Sequence, residues 1–576
     1  MIDLRIYRAG FAPALVAVAI LLFALQQRPG PLPPVVAPAE FDQSAAAKTA
    51  RQIVDAAPVH TPGSHGDDAV ARIVERRFAR VPEGQVTEQR FERSFDGEDV
   101  GLRNLILTLP GESPHSVVVL AARDTASGPG AVSSAAATAM LLELVDQLRN
   151  SQHTKTLVFV STDGGSDGAS GAGEFAARYP ASSLIDGAIV LWQPGSAAPR
   201  QPSLLDASDG SQSPSVQLVR TAERTLSEQT GRRPQLEGLF GELARLAFPS
   251  GLGEQAVLIE HGIDAVGLSS AGERPLPVAD DQPDDFSSAT LGSLGRTALL
   301  LAATIDAAPD ALEHGPDAYL SVEGNLLPGW TIALLALTLL LPATLAALAA
   351  LAAASERGGR VGWALAWSAS RALPPLAALL LLYGLAATGI VPDPAFPFDP
   401  GRFGTGPGQI IAMTLLATVT LAGYHAIRAW RVPAALPHAA VVAALGVVAS
   451  LAVLLAWLVN PFLGLLCVPL AHVWLVPART SGAAAVPATL GAAAVSLLPL
   501  VAAIAYVAGR LDLGSGAPWS LLLMVTDGQI GFAALLPICL LAGCLVGLVA
   551  LAARPRRHPR ARPEPVGWPR SRAEAE

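Results

Sequence analysis

His115 to Leu148 reads HSVVVLAARDTASGPGAVSSAAATAMLLELVDQL. Val117 to Ala121 is a β-rich apolar run, Asp124 to Ala131 is a loop of Gly, Ser and Pro, and from Ser133 to Leu148 apolar residues recur at helical spacing. That order predicts strand, loop and helix. In open α/β sheets ligands gather at the carboxyl ends of the strands, so the loop from Arg123 to Val132 falls where chemistry would take place.

The surrounding sequence repeats the alternation. Strands are predicted at Gln85 to Phe95, Leu102 to Leu109, Thr156 to Ser161 and Ala188 to Trp192. Helical patterns run over Ala45 to Ala56, Asp67 to Arg80, Gly171 to Arg178, Ser215 to Leu226, Leu239 to Ala247 and Ala289 to Ile305. Strands alternating with helices imply an α/β fold, a mainly parallel sheet flanked by helices. From Phe41 to Pro309 the chain is long enough to bury a full core.

The run VVVLAARDT, then PGAVSSAAATAMLLEL, then LVFVSTDGGSDGASGAGEFA resembles the zinc aminopeptidases of peptidase family M28, over about Ala46 to Ala308. In that family the three segments carry His-x-Asp, Gly-Ala-x-Asp-Asn and a Glu-Glu pair. By this resemblance the first His falls on Ala122, the bridging Asp on Ser133, the following Asn on Ser134, and the Glu pair on Gly165 and Ser166. A further ligand Asp falls on Trp192, and no His stands near the last ligand position in RPLPVADDQPDDF. Only Asp124 matches. Zinc needs converging imidazole, thiolate or carboxylate donors, so the resemblance implies the peptidase fold with its metal and general base lost.

The whole chain of 576 residues is 51% hydrophobic and 15% charged, too apolar for one soluble globule. Its net charge of −9 gives no reason to expect nucleic acid as a partner. Cys467, Cys539 and Cys544 all lie in the apolar C-terminal half, which excludes a disulfide framework for the α/β part. Gly10 to Leu25 behind Arg5 and Arg8 reads as an uncleaved signal anchor, and Arg28 to Pro38 as a stiff Pro-rich linker. Seven apolar segments follow: Pro328 to Ala354, Trp363 to Val391, Gln409 to Ile427, Leu436 to Val459, Phe462 to Val476, Ala485 to Ala508 and Gln529 to Ala552. Most reach the ~20 residues that cross a bilayer. Arg357, Arg360, Arg428, Arg431, Arg479 and the tail RPRRHPRARP follow the odd-numbered segments, which puts the tail in the cytoplasm and the α/β domain outside.

Five parts are therefore expected: an anchor helix (1–27), a linker (28–40), an extracytoplasmic α/β domain (41–309), a seven-helix transmembrane domain (326–553) and a basic cytoplasmic tail (554–576). With residues 28–325 outside a multi-pass cell-membrane protein, the layout resembles the attachment subunit of the GPI transamidase. That part of the comparison is analogy of architecture.

Each remaining candidate has a plainer competitor. Gly164 to Gly168 matches the G-x-S-x-G nucleophile elbow with Ser166 as nucleophile, but the next helix opens only near Gly171 and no partner His is evident. A Gly-rich loop left in place of the Glu pair is favoured. Ser133 and Ser134 suit a substrate contact or, more simply, the N-cap of their helix. Asp124 reads as a relic or, preferably, as the salt-bridge partner of Arg123. Asp280, Asp281, Asp284 and Asp285 lack the Gly-containing spacing of a calcium loop and read as a solvated acidic turn. In the membrane part, His472 faces either a bundle cavity or the aromatic belt, and Arg371 either binds a lipid phosphate or snorkels. His425 and His438 lie near the cytoplasmic helix ends and need no special role.

The sequence thus predicts a catalytically inactive, zinc-free platform at the membrane surface for a peptide, lipid or partner protein. Arg123, Asp124, Ser133, Ser134, Ser166 and Asp167 are its candidate binding residues. The alternative is a zinc aminopeptidase with compensating ligands from His60, His65, His115, His261 or the loop Asp280 to Asp285. A transporter-like bundle is disfavoured, since the segments carry few acidic residues and no paired repeat.

Overall fold

Two short helices, α1 (Leu4–Ala9) and α2 (Ala12–Phe23), lead into β1 (Gln26–Gln27) in the computed structural model. It describes residues 4–36, 40–95, 98–198, 202–234, 236–396, 398, 403, 406–429, 431–480 and 482–554. Most of the expected basic tail lies outside the described residues. The linker is not a free spacer. Leu32 is buried and its N–H donates to Thr221 Oγ1 at 3.0 Å, which lays the Pro-rich segment along the α/β domain.

The domain opens with α3 (Gln43–Ala56), α4 (His65–Phe78), β2 (Gln85–Phe95), β3 (Glu98–Leu109) and β4 (Ser113–Ala122). It continues through α5 (Ser134–Leu148), β5 (Lys155–Thr162), α6 (Ser170–Arg178), β6 (Ile185–Trp192), β7 (Ser203–Leu205), α7 (Val216–Thr230) and α8 (Leu239–Ala247). It closes with α9 (Glu254–Glu260), β8 (Ala265–Ser269) and α10 (Ser288–Asp306). The seven-stranded sheet runs β2-β3-β5-β4-β6-β8-β7. Its centre, β5-β4-β6-β8, is parallel, whereas the β2–β3 hairpin, β3 against β5, and β7 against β8 pair antiparallel. Central strands covered on both faces read as unbroken apolar runs, as VVVLAA in β4 does.

Side-chain alternation divides the core. Val117, Val119 and Ala121 face α3, α4, α5, α7 and α10, while Val118 and Leu120 face α6 and α9. Among the described residues nine helices are long and apolar enough to cross a membrane. One of them is α10, but its Leu291, Leu294, Ala298 and Leu301 are buried in the core that holds Val117. The other eight are the N-terminal helix and seven helical segments after the domain, consistent with a multi-pass membrane protein.

Those segments begin behind a small sheet in which β1 pairs antiparallel with β10 (Asn325–Pro328), itself paired with β9 (Tyr319–Val322). Then come α11 (Gly329–Glu356), α12 (Val361–Ser370), α13 (Leu373–Ala387), α14 (Pro407–Ala426), α15 (His438–Val459) and α16 (Pro461–Cys467). The last are α17 (Leu475–Arg479), α18 (Ala485–Arg510), α19 (Ala517–Thr526) and α20 (Phe532–Ala552). Two expected helices are broken. The segment after Trp363 divides at Arg371–Ala372 before Pro374 and Pro375, and the segment after Phe462 passes through a 3-10 stretch containing Pro469. Proline lacks the N–H and clashes with the preceding turn, so both breaks have a local cause. Helix α15 forms the centre, where small residues permit close approach: a Cβ on Gly446 would lie 2.8 Å from the Trp474 ring.

Alternate ends of the bundle meet the domain. Asn460 Nδ2 donates to Leu246 O at 2.8 Å, Gln529 Nε2 to Pro249 O at 3.1 Å, and Arg274 Nη1 to Asp512 O at 2.8 Å. A Cβ on Gly168 would lie 2.7 Å from Ala395 Cβ. Helix α8 shares an apolar cluster with α11, α16 and α18. Arg357, Arg360, Arg428, Arg431 and Arg479 follow the opposite ends of their helices.

Candidate functional site

Where β4 ends, Ala122 and Asp124 turn toward a pocket of about 80 Å³ and Arg123 turns away beneath it. The pocket lies at the carboxyl ends of the parallel strands, as an open α/β sheet requires. Ala122, Asp124, Ser133, Gly165, Ser166 and Trp192, far apart in sequence, all line it.

The carboxylates there are hydrogen-bonded to the backbone and to hydroxyls. The Asp124 carboxylate accepts the N–H of Gly165 at 2.8 Å on one oxygen and the N–H of Ser166 at 2.9 Å on the other. The expected pairing with Arg123 is therefore replaced. On a strand, consecutive side chains point to opposite faces, and Arg123 donates instead to Asp67 Oδ2 at 2.8 Å and Ser161 O at 3.2 Å, with Asp163 Oδ2 at 2.8 Å. Burial pushes the carboxyls of Asp67 and Asp163 upward, and the Arg123 guanidinium opposes it. As a binding candidate Arg123 is thus displaced, because it never reaches the pocket.

At Gly165, where the resemblance puts the catalytic base, a Cβ would lie 2.4 Å from Ala122 Cβ and 3.2 Å from Glu254 Oε1. Space that a longer side chain would need there is taken. Glu254, fully buried at the start of α9, accepts the Thr162 hydroxyl at 2.6 Å. Burial pushes its carboxyl up to about 8, which keeps it protonated at neutral pH. Sequence reading missed this residue, and its one local signal is a Gly-Leu-Gly-Glu turn ahead of a short apolar run.

Ser133 and Ser134 are not side-chain caps of α5. The Ser133 hydroxyl bonds Asp281, whose carboxylate also accepts the N–H groups of Val132 at 2.7 Å and Ser133 at 3.0 Å. Asp281 itself thus supplies the acceptor at this helix N-terminus. The solvated-turn reading fails for it: Asp281 is buried, which pushes its carboxyl up to about 6, while Asp280 and Asp284 are exposed. Ser134 Oγ lies 2.9 Å from His60 Nε2, and His60 Nδ1 lies 2.8 Å from Ala57 O. Since Nδ1 must donate to that carbonyl, Nε2 accepts the serine proton. Burial lowers the His60 pKa and keeps the ring neutral.

Ser166 Oγ is buried without a hydrogen-bond partner, and α6 opens only at Ser170 after Ala169 at φ 47°. No elbow with a histidine base is built there. The N–H of Asp167 donates to Gly164 O at 3.3 Å, closing the glycine turn, and Trp192 Nε1 donates to Glu273 O at 3.0 Å, fixing the indole. Of the alternative ligands, His65 is exposed at the head of α4, His115 pairs with Asp186 at 2.8 Å at the other end of β4, and His261 Nδ1 bonds Val257 O at 2.8 Å. Among the described residues no three His, Cys, Asp or Glu side chains converge as a metal set.

The two candidates in the apolar helices contact neighbouring helices. His472 Nδ1 donates to Val468 O at 3.1 Å, and its ring lies 6.0 Å from Tyr7 and 6.5 Å from Phe11, centroid to centroid, so it faces the N-terminal helix. Arg371 is buried with its guanidinium 4.7 Å over Trp367, and its Nη1 reaches Ile427 O at 3.5 Å at the end of α14.

Residues 104–303 match the profile of Peptidase family M28, so the chain carries a domain of that family. No curated protein matches the chain. Similar solved structures include a glutaminyl cyclase from an Acidobacteriales bacterium, at 18% identity over 48% of this chain and 98% of that one, with a TM-score of 0.39. A Porphyromonas gingivalis glutaminyl cyclase has 17% identity over 46% and 98%, TM-score 0.39. The zinc aminopeptidase BSAP of Bacillus subtilis has 14% identity over 48% and 99%, TM-score 0.38.

Proposed function

We propose that this is a multi-pass membrane protein whose M28-type domain binds rather than cleaves, holding a peptide, lipid or partner protein at the extracytoplasmic surface. The observation that carries the reading is the pocket. Every position where the family resemblance places a metal ligand or base comes together there, and apart from the unpartnered Ser166 hydroxyl the polar side chains there are spent on backbone groups, on Asp281 or on His60. Of the imidazoles the aminopeptidase alternative needs, His60 is engaged by Ser134, His65 is exposed at the head of α4, His115 pairs with Asp186 and His261 bonds Val257 O. The outward placement of residues 28–325 rests on the arginines that follow the far ends of the helices. An uncleaved anchor fits the contact of α1 and α2 with α11, where a Cβ on Gly10 would lie 2.7 Å from Pro342 Cα. The layout of one helix, an M28-type domain and seven segments is similar to that of the GPI transamidase attachment subunit.

The test is elemental analysis of the purified full-length protein together with amino-acid release from unblocked peptides. Absence of both zinc and release is the expected outcome. Near-stoichiometric zinc with chelator-sensitive release would sink the proposal.

A further inference from the structure

A second cavity, of about 270 Å³, lies where the domain meets the helices. Its domain end is polar, with Asp209, Ser211 and Ser250 from two domain loops, Asn460 from the α15–α16 junction and Gln529 from the turn before α20. Its walls are apolar: Ile504 and Val507 of α18 with Leu511 just after it, Leu521 and Met524 of α19, and Ile538 of α20. Ile504, Leu521 and Ile538 are only partly buried and lie on helices whose other faces are exposed, as at Leu498, Val501 and Phe532.

The polar end is held in place. Asn460 Nδ2 donates to Ser211 Oγ at 3.0 Å, and Gln529 Nε2 donates to Asp209 O at 3.2 Å. No Lys, Arg or His lines the cavity, so a phosphate or carboxylate head would find no cation. Water gains little against walls of this kind, whereas an alkyl chain suits them.

We propose that this cavity binds a single-chain lipid with an uncharged, hydroxyl-bearing head, such as a monoacylglycerol, which enters sideways from the bilayer with its head toward Asp209. Burial raises the Asp209 carboxyl well above the usual carboxylate range, which favours the protonated form that can both donate to and accept from a hydroxyl. Its Oδ1 is buried without a partner in the protein. The inference rests on the binding-platform reading for the embedding of α18 to α20, and it is independent of whether the domain pocket holds zinc.

The full-length protein in phosphatidylcholine nanodiscs would be labelled with a monoacylglycerol bearing a diazirine in its chain, and the adducts mapped by mass spectrometry. Labelling of α18, α19 and α20 is expected, displaced by excess monooleoylglycerol and at least tenfold less well by oleate or lysophosphatidylglycerol. Ala508→Trp and Ala534→Trp, which fill the cavity, should cut labelling at least tenfold, and Asp209→Leu, which removes the head contact without filling it, about fivefold. Leu498→Trp, on the outer face of α18, should leave it intact. Labelling spread evenly over the outer helix faces, insensitivity to all three cavity variants, or equal displacement by the anionic lipids would each overturn the proposal. Zinc with peptidase activity in a protein that still labels would refute only the non-catalytic reading, and lost labelling in a zinc-free protein only this one.

Discussion

Arg123 and Asp124 are neighbours in the chain and belong to two differently organised regions. Below the strand end, Arg123 is enclosed with two carboxylates and every strong contact is charge to charge. Above it, Asp124 and Asp281 in the pocket and Glu254 behind it meet amides and hydroxyls. A reactive centre needs free donors aimed into its cavity, whereas a structural one satisfies them internally. Ionic pairing marks the lower side, and hydrogen bonds to amides and hydroxyls mark the pocket side.

The largest expected effect comes from breaking the lower region. Arg123→Ala leaves two buried carboxylates without their cation and should cost roughly 3–5 kcal/mol, seen as lost folded protein or a lower denaturation midpoint. Glu254→Gln sharpens the contrast with the upper region. A carboxyl raised from 4.5 to about 8 holds its proton more tightly in the folded state, so its contribution declines as pH rises between those values. At ~1.4 kcal/mol per unit the variant should gain a few kcal/mol at pH 8 over wild type and show no gain near pH 4 in paired melts. Unchanged pH dependence would mean Glu254 is already hydrated. Gly165→Ala tests how closed the pocket is; the clash with Ala122 should cost about 1–3 kcal/mol, and a neutral result would show that the site can reopen. Ser134→Ala is the smallest, about 1 kcal/mol for one hydrogen bond, while a two-dimensional NMR signal from His60 should shift on loss of its partner.

The same contrast explains what the sequence made legible. The strands Val117 to Ala121 and Thr156 to Ser161 and the helix of Leu148 carry long apolar periods, and the structure places them where expected. The five residues of β8 and three of β7 are too short to show any period, so the far edge of the sheet went unread. Bringing Ala122, Ser133, Gly165 and Trp192 together needed only the motif order. Pairing Ser133 with Asp281, Ser134 with His60 and Thr162 with Glu254 depends on tertiary approach, and no local pattern announces it. The replacement of the Arg123 pairing with Asp124 was unreadable for the same reason: both lie just past the end of β4, where Arg123 meets Asp67 and Asp163 from distant segments.

The small sheet of β1, β9 and β10 sets Gln26 opposite Leu326. The polypeptide therefore leaves the helices and returns to them at neighbouring points, with little loop-closure entropy between the two crossings. Because α8, Arg274 and the Pro249 loop also bind the helices, the domain is seated at several points, and swinging it about that sheet would have to break those contacts together.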